Sequence, residues 1–422
     1  METNKIGQRG TLKAGLDVHL FQCKVGTLFR DEIGRLTFVY DAVWLENANA
    51  IPLSQSLPLT SKQFTQKECQ GYFSGLLPEG MNRNLVARNL KVRAKSDIIL
   101  LELLGLECAG AVWFTPSENT ERPTKRYLTQ SDAELAEMLK MLPQTPLFAG
   151  EKDVRHTLAG AQDKVAVYVD GTSVSLPQNG ALTTHILKPD HDRFPGLVHN
   201  EDFCMKLAAA VGLSVAKTEA RTAGGADYLL IERYDRQKNE VGELTCLHQE
   251  DFCQAMAIRS ENKYPGDGGP GFIQCFKLLD AASTAPTEDS HHFMAAVIFN
   301  FLIGNNDAHG KNFSLLYGKE GPRLAPLYDL IATNIYPDLT RKMAMKIARH
   351  KEFPKIFPRH FSWLAETVGL DPTLVVNQLG QLASQILEAM VKMNTDHPVK
   401  KNVSRFIAAR CEGTLSILEY DT

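Results

Sequence analysis

The sequence predicts an α+β chain: a small N-terminal α/β domain (residues 1–115), then a two-lobed body with a β-rich lobe over 150–248 and an all-helical lobe over 249–422. Three observations predict it. The chain has 422 residues, more than one hydrophobic core accommodates, so two or three domains are expected. Short alternating or β-branched runs such as KVAVYVD (164–170) and YLLIERYD (228–235) fill its middle. After about residue 250 the apolar stretches carry helical spacing instead.

Composition narrows the class. Charged residues make up 23% and hydrophobic residues 44%, ordinary for a globular protein. The net charge of −3 supplies no bulk drive toward nucleic acid and leaves room only for a local patch. The N-terminal METNKIGQRGTLK lacks the apolar core of a signal peptide. The longest apolar runs, near 98–106 and 293–303, are too short or too interrupted to span a bilayer. Eight cysteines without a C-x-x-C pair suggest neither zinc nor a disulfide framework. A cytoplasmic chain with reduced thiols and no membrane partner is expected.

In chain order, residues 14–45 read as a strand meander with RDEIGR as a turn, and Ile51 to Pro58 as an extended loop. GLLPEGMNRNLVARNL (75–90) turns helical, Ser96-Asp97 looks like the N-cap of a helix ending at Gly105, and AVWF (111–114) is strand-like. Polar residues 115–130, with Pro116 and Pro123, read as a linker, and SDAELAEMLKML (131–142) as a short helix. Strands are expected at 164–170, 173–176, 184–189 and 228–235, with an amphipathic helix at 199–213 between the last two. QEDFCQAMAI, FIQCFKLL, HHFMAAVIFNFLI, RHFSWLAETVG, LVVNQLGQLASQILEAMVKM and SRFIAARCEGTLSILEY are then read as helices.

The most informative stretch is FNFLIGNNDAHGKNFSLLY (299–317), which places Asn305, Asn306, Asp307, His309, Lys311 and Asn312 between apolar flanks. Buried polar groups at that density need partners or a ligand. Asp307 and Asn312 have the spacing of the protein-kinase catalytic loop, where the Asp takes the acceptor proton and the Asn holds a metal ion. A lone carboxylate, Asp329, follows in LAPLYDLI, where a second metal ligand would stand. Two readings remain open: this constellation, or a buried polar turn between helices.

Other motifs carry similar pairs of readings. HTLAGAQDKVAV (156–167) has small residues, Ala159, Gly160 and Ala161, that would let backbone N–H groups approach phosphates; a surface turn is the alternative. Lys188 ends a strand, as a phosphate-binding lysine or a solvated one. Glu201 could pair with it, although a helix-start carboxylate favoured by the dipole is the preferred reading. IERYD (231–235) falls at the junction of the lobes, where Glu232 and Tyr234 would act through main-chain groups on an adenine edge. YPGDGGPG (264–271) reads as a mobile loop, His291-His292 as helix-start polar residues, and Lys400, Lys401, Arg405 and Arg410 as a solvated helix face.

Together, LAGAQDK (158–164), HILKP (185–189), IERYDR (231–236), QEDFCQ (249–254), DGGPG (267–271), GNNDAHGKNFS (304–314) and LYDL (327–330) resemble the HipA family, the kinase toxins of bacterial type II toxin–antitoxin systems. The resemblance implies a protein kinase-like fold and a serine/threonine kinase using ATP and Mg²⁺. It implies an acceptor in the translation machinery, typically an aminoacyl-tRNA synthetase, whose phosphorylation inhibits growth. It also implies a HipB-like helix-turn-helix antitoxin dimer that carries most of the contact with operator DNA. On matching motifs, Asp307 would be the catalytic base, and Asn312 and Asp329 the metal ligands. Ala159, Gly160, Ala161, Gln162, Asp163, Lys164 and Lys188 would meet the phosphates, and Glu232, Arg233 and Tyr234 the adenine. His309, Gly310, Lys311 and Tyr328 would flank the nucleotide. Thr157 stands where the family often has an autophosphorylated Ser, and keeps the hydroxyl. Two alternatives stand beside this reading: a catalytically weak nucleotide-binding co-repressor, and a metal phosphohydrolase built on Asp307, His309 and Asp329.

Overall fold

The structure, a computed structural model, describes residues 15–117 and 124–420. Strands β1 (Leu16–Leu20), β2 (Cys23–Arg30), β3 (Leu36–Tyr40) and β4 (Val112–Pro116) form an antiparallel sheet of order β3-β2-β1-β4. Asp31 holds the turn expected at RDEIGR, its carboxylate accepting the N–H groups of Ile33 and Arg35. Gly26 is obligatory, because a Cβ there would lie 2.3 Å from the Val39 carbonyl oxygen. Helices α1 (Ala42–Leu45), α2 (Gln66–Gly75), α3 (Gly80–Asn89) and α4 (Asp97–Leu104) complete this unit around buried Phe38, Tyr72, Phe73 and Phe114. Leu158 and Ala166 from beyond the 115–130 stretch pack into the same core.

A six-stranded sheet follows, of order β5-β7-β6-β8-β10-β9. Its strands are β5 (Arg126–Gln130), β6 (Val165–Asp170), β7 (Ser173–Gln178), β8 (His185–Pro189), β9 (Thr218–Ala223) and β10 (Ala226–Glu232). Helix α5 (Asp132–Met141) starts at a capping box, Ser131 with Glu134, and α6 (Leu197–Ala210) lies against the sheet. The linker reading of 115–130 needs correction. Residues 126–130 pair with β7 as an edge strand, and 118–123 lie outside the described residues. An edge strand with nearly every side chain exposed has no apolar alternation to announce it. The opposite edge, β9 (TEARTA), also escaped, because its small and polar residues show no apolar alternation.

The last lobe is mainly helical but not all-helical. Hairpin β11 (Arg236–Lys238) and β12 (Leu244–Cys246) leads into a small sheet of β13 (His248–Asp251), β14 (Ser314–Gly318) and β15 (Gly321–Leu324). A further hairpin pairs β16 (Lys342–Ile347) with β17 (His350–Glu352). QEDFCQAMAI is therefore not one helix. Asp251 accepts the Gln254 N–H as an N-cap, which confines α7 to Phe252–Ala255 and leaves the preceding residues free to pair with β14. Helices α8 (Phe272–Ala282), α9 (Pro286–Ile303), α10 (Pro358–Val368), α11 (Pro372–Val391) and α12 (Pro398–Tyr420) surround fully buried Phe293, Phe299, Phe313 and Phe361. The basic face expected on α12 is partly inward. Lys400 pairs with buried Asp202 at 2.9 Å, and Arg410 lies over Phe301 and Phe353 while donating to the Leu302 carbonyl. Among the described residues no helix is long and apolar enough to cross a membrane.

Candidate active site

Helix α9 ends at Gly304, whose left-handed backbone (φ +71°) turns the chain sharply into the polar segment. The asparagines that follow build the turn. Asn305 donates from Nδ2 to Asn300 Oδ1 (2.8 Å) and its Oδ1 accepts the Asp307 N–H (3.0 Å). The Asn306 N–H donates to Thr333 Oγ1 (2.7 Å). Both are buried, so the polar-turn reading holds for them. Asp307 differs: the turn leaves it exposed, with Oδ1 accepting the Tyr264 hydroxyl at 2.7 Å. Crowding by the cleft walls raises its pKa; the Tyr264 bond opposes this, and Asp329 adds to the rise.

Opposite Asp307 lies a ladder of charges. Asn312 donates from Nδ2 to Asp329 Oδ2 (2.6 Å), and Asp329 Oδ1 meets Lys188 Nζ at 3.1 Å. Lys188 Nζ also donates to both oxygens of Glu201, at 2.7 and 2.9 Å. Glu201 is thus the buried partner of Lys188, not merely a helix-start carboxylate favoured by the dipole. Burial works against ionised Asp329, but Lys188 and Lys164 outweigh it and hold the carboxyl well below its usual range. Lys164 donates to the Ala159 carbonyl at 2.9 Å; burial and the neighbouring Lys188 lower its pKa to about 8. Gly160 has φ +103°, and a Cβ there would lie 2.7 Å from Lys164 Nζ. His309 is buried with Nδ1 unpartnered, and burial depresses its pKa to about 3, so the ring is neutral.

The structure brings most of the expected residues around one cavity of about 440 Å³. Gly160, Lys164, Lys188, Asp307, Asn312 and Asp329 all line it. Two expected residues stand back: Asp163 accepts from Asn82 Nδ2, and Gly310 packs against Pro270 and Cys253. Lys311 points its Nζ at Asp251 (2.6 Å). The Arg233 side chain is buried in an ion cluster with Glu107 and Asp235. At the lobe junction the Glu232 N–H is taken by the Lys217 carbonyl, while the Tyr234 N–H meets no acceptor among the described residues. Tyr234 and Tyr328 stack at 5.9 Å beside it. Sequence reasoning missed Tyr264 and Glu79, a first-domain residue that pairs with Lys263 of the last lobe. Tyr264 had a signal, the turn-rich YPGDGGPG, but Glu79 had none. A second cleft, between α2 and residues 257–268, contains none of the expected residues.

The donor set suits Mg²⁺, a hard cation that takes oxygen ligands: the carboxylate of Asp329 and the amide oxygen of Asn312. That oxygen accepts the His309 N–H at 3.1 Å, so Asn312 must turn to reach an ion beside Asp329. Buried Lys188 and half-buried Lys164 would supply positive charge for phosphates, and the open Tyr234 N–H suits a base edge.

Comparison with known proteins follows the same architecture. Residues 16–115 match the model of the HipA N-terminal domain, and 156–393 that of the HipA-like C-terminal domain. The chain is 41% identical to the kinase-named protein Y4mE of Sinorhizobium fredii, over 88% of this chain and 90% of that one. It is 27% identical to the serine/threonine-protein kinase toxin HipA of Shewanella oneidensis, over 96% of each. The solved complex of Shewanella oneidensis HipA with HipB and operator DNA superposes with a TM-score of 0.84 at 24% identity, covering 96% of this chain and 98% of that one, and shows the same fold. With both domain models matched in order and a relative sharing two residues in five along nearly its full length, this chain belongs to the HipA family.

Proposed function

We propose that this chain is a serine/threonine protein kinase, the toxin of a type II toxin–antitoxin pair. One observation carries the reading. An exposed carboxylate, Asp307, lines the same cavity as Lys188, which Glu201 backs from behind, and as the Asn312–Asp329 pair. Bound Mg-ATP would supply the γ-phosphoryl group. Lys188 and Lys164 would neutralise the phosphates, Asn312 and Asp329 would hold the metal, and the Tyr234 backbone would hold the base. Asp307 would orient the acceptor hydroxyl and take its proton, its raised pKa suiting a base that must also release that proton. Catalysis of this kind is mostly positioning and charge neutralisation.

The acceptor would be a component of translation, typically an aminoacyl-tRNA synthetase, and its phosphorylation would arrest growth in the cytoplasm. A helix-turn-helix antitoxin dimer would neutralise the toxin and carry operator binding. The test is incubation with labelled ATP, Mg²⁺ and cell extract. One labelled acceptor is expected, and Asp307→Ala should lower transfer roughly 10²-fold or more while calorimetry shows unchanged ATP affinity. Undiminished transfer by the variant removes Asp307 as the base. Absence of transfer by the unaltered chain favours the co-repressor instead.

A further inference from the structure

Residues 341–359 carry seven of the chain's 46 Lys and Arg residues but only one of its 49 Asp and Glu residues. The net charge of −3 therefore conceals a local basic segment in an otherwise more acidic chain. The segment is hairpin β16–β17 with the start of α10. Met343, Met345 and Ile347 are buried beneath it, while Arg341, Lys342, Lys346, Arg349, Lys355 and Arg359 are exposed. Its one carboxylate, Glu352, faces both Lys342 (3.9 Å) and Lys355. Among the described residues no carboxylate lies within 4.0 Å of Arg341, Lys346, Arg349, Lys351 or Arg359. Lys351 registers the crowding: partial burial and then repulsion from Lys346 and Lys342 lower its pKa.

The hairpin is fixed to the catalytic loop. Ala344 donates its N–H to the Asn306 carbonyl at 2.7 Å, and Asn306 Nδ2 donates to the Thr340 carbonyl, immediately before Asp307. Asp267 belongs to the glycine-rich loop that places Tyr264 against Asp307, and its charge partly offsets the repulsion at Lys351.

We infer that the β16–β17 hairpin and the first turn of α10 form an RNA-binding surface, on which RNA carried by the acceptor lies while the acceptor hydroxyl reaches Asp307. Exposed one-to-one ion pairs contribute little, so an acidic protein loop would gain little from these cations. A phosphodiester chain gains much more, because each neutralised phosphate releases condensed counterions. The commitment to RNA rests on the proposed acceptor class, a translation component, and on the attachment of the hairpin beside the catalytic base. Operator DNA would be held mainly by the proposed antitoxin.

The test uses the full chain without ATP: fluorescence anisotropy with bulk transfer RNA and with duplex DNA of equal phosphate number, over a salt series. The variants are the triple Lys346→Gln, Arg349→Gln, Lys351→Gln and the single Lys346→Glu. All three sites are at the surface and outside the nucleotide cavity, and thermal midpoints check the fold. The triple variant should weaken RNA binding about tenfold or more and reduce the salt slope by roughly 2 to 3, with a smaller loss in the single variant. RNA binding equal to wild type in both variants overturns the inference, and so does wild-type affinity for the DNA as high as for the RNA. Transfer to an acceptor without RNA binding sinks the hairpin and spares the kinase reading; RNA binding lost in the variants, with no transfer by the wild type, sinks the kinase reading alone.

Discussion

Lys188 is buried between two carboxylates that need it for different reasons. Glu201 is fully buried; burial raises its pKa, and Lys188 is the cation that opposes the rise. Asp329 is half-buried and sits at φ +59°, a backbone conformation that costs an L residue about 1–3 kcal/mol unless its surroundings impose it. Here Lys188 and Asn312 impose it. The two substitutions therefore separate. Lys188→Ala strands Glu201, so thermal stability should fall, by about 3–5 kcal/mol for a broken buried pair, together with ATP affinity. Asp329→Ala should abolish most of the Mg²⁺ dependence of ATP binding with a smaller loss of stability, since no fully buried charge is left alone. Calorimetry with and without Mg²⁺ and an unfolding curve on each variant decide it; unchanged ATP affinity in both would remove this pair from the site. Asp307, Asn312 and Asp329 were legible in the sequence because polar residues between apolar flanks report a shaped turn. The Lys188–Glu201 pair was half legible: both residues stood out, but the dipole argument for Glu201 weighed only its own helix and ignored the strand it faces.

At the scale of elements, the loop from 156 to 164 is more firmly held than its small residues suggest. Gly160 accepts the Glu79 N–H at 3.1 Å, and Ala161 accepts from Asn82 Nδ2 at 3.0 Å. Thr157 does not start a strand, since β6 begins at Val165. It is fully buried, with its hydroxyl donating to the Leu76 carbonyl (2.9 Å) and its N–H to the Glu107 carbonyl. A phosphate adds about −1.5 to −2 charge and three acceptor oxygens, for which this site has no room. Phosphorylation at Thr157 thus requires the loop to leave its seat and prevents its return, which takes Gly160 and Lys164 from the cavity. Mass spectrometry after incubation with Mg-ATP should show slow phosphorylation of Thr157, and the modified fraction should fail to bind ATP. A phosphorylated form with normal ATP affinity would reject the switch. The elements flanking this loop were legible where a strand had a buried face, as in KVAVYVD, and illegible at the sheet edges, where no apolar alternation marks a buried face.

Over the whole molecule, the N-terminal domain meets the kinase-like body through the apolar packing of Leu158 and Ala166 and through a set of buried polar contacts between residues more than a hundred positions apart. No periodicity reports such pairings, so the sequence could not show them. Arg233 and Arg236 both reach Glu107 (2.8 and 2.6 Å), and Asp235 binds the same two guanidiniums. Nearby, Glu250 is buried against the loop at Ser54 and Gln55, accepting from both and from the Tyr317 hydroxyl at 2.5 Å. The two contacts respond oppositely to pH. Burial opposes ionisation of Asp235, but Arg233 and Arg236 prevail and lower its pKa to about 2, so its contribution is present above the ordinary value of 3.8 and is lost as pH falls toward 2. For Glu250, burial prevails over its three hydrogen bonds and raises the pKa from 4.5 to about 7. The folded state then binds that proton more tightly than the unfolded one. Its contribution is full below about 4.5 and disappears as pH rises through 7. The loss should amount to roughly a few kcal/mol, at about 1.4 kcal/mol per unit of pKa difference. Unfolding midpoints measured from pH 5 to 8 should therefore fall for the wild-type chain and fall less for Glu250→Gln, which carries no titrating proton at the interface. Histidines that titrate in this window act equally in both chains, so the difference in slope belongs to Glu250. Parallel pH curves for the two chains would show that Glu250 titrates at the same pH folded and unfolded, and that the contact between the N-terminal domain and the helical lobe is insensitive to pH.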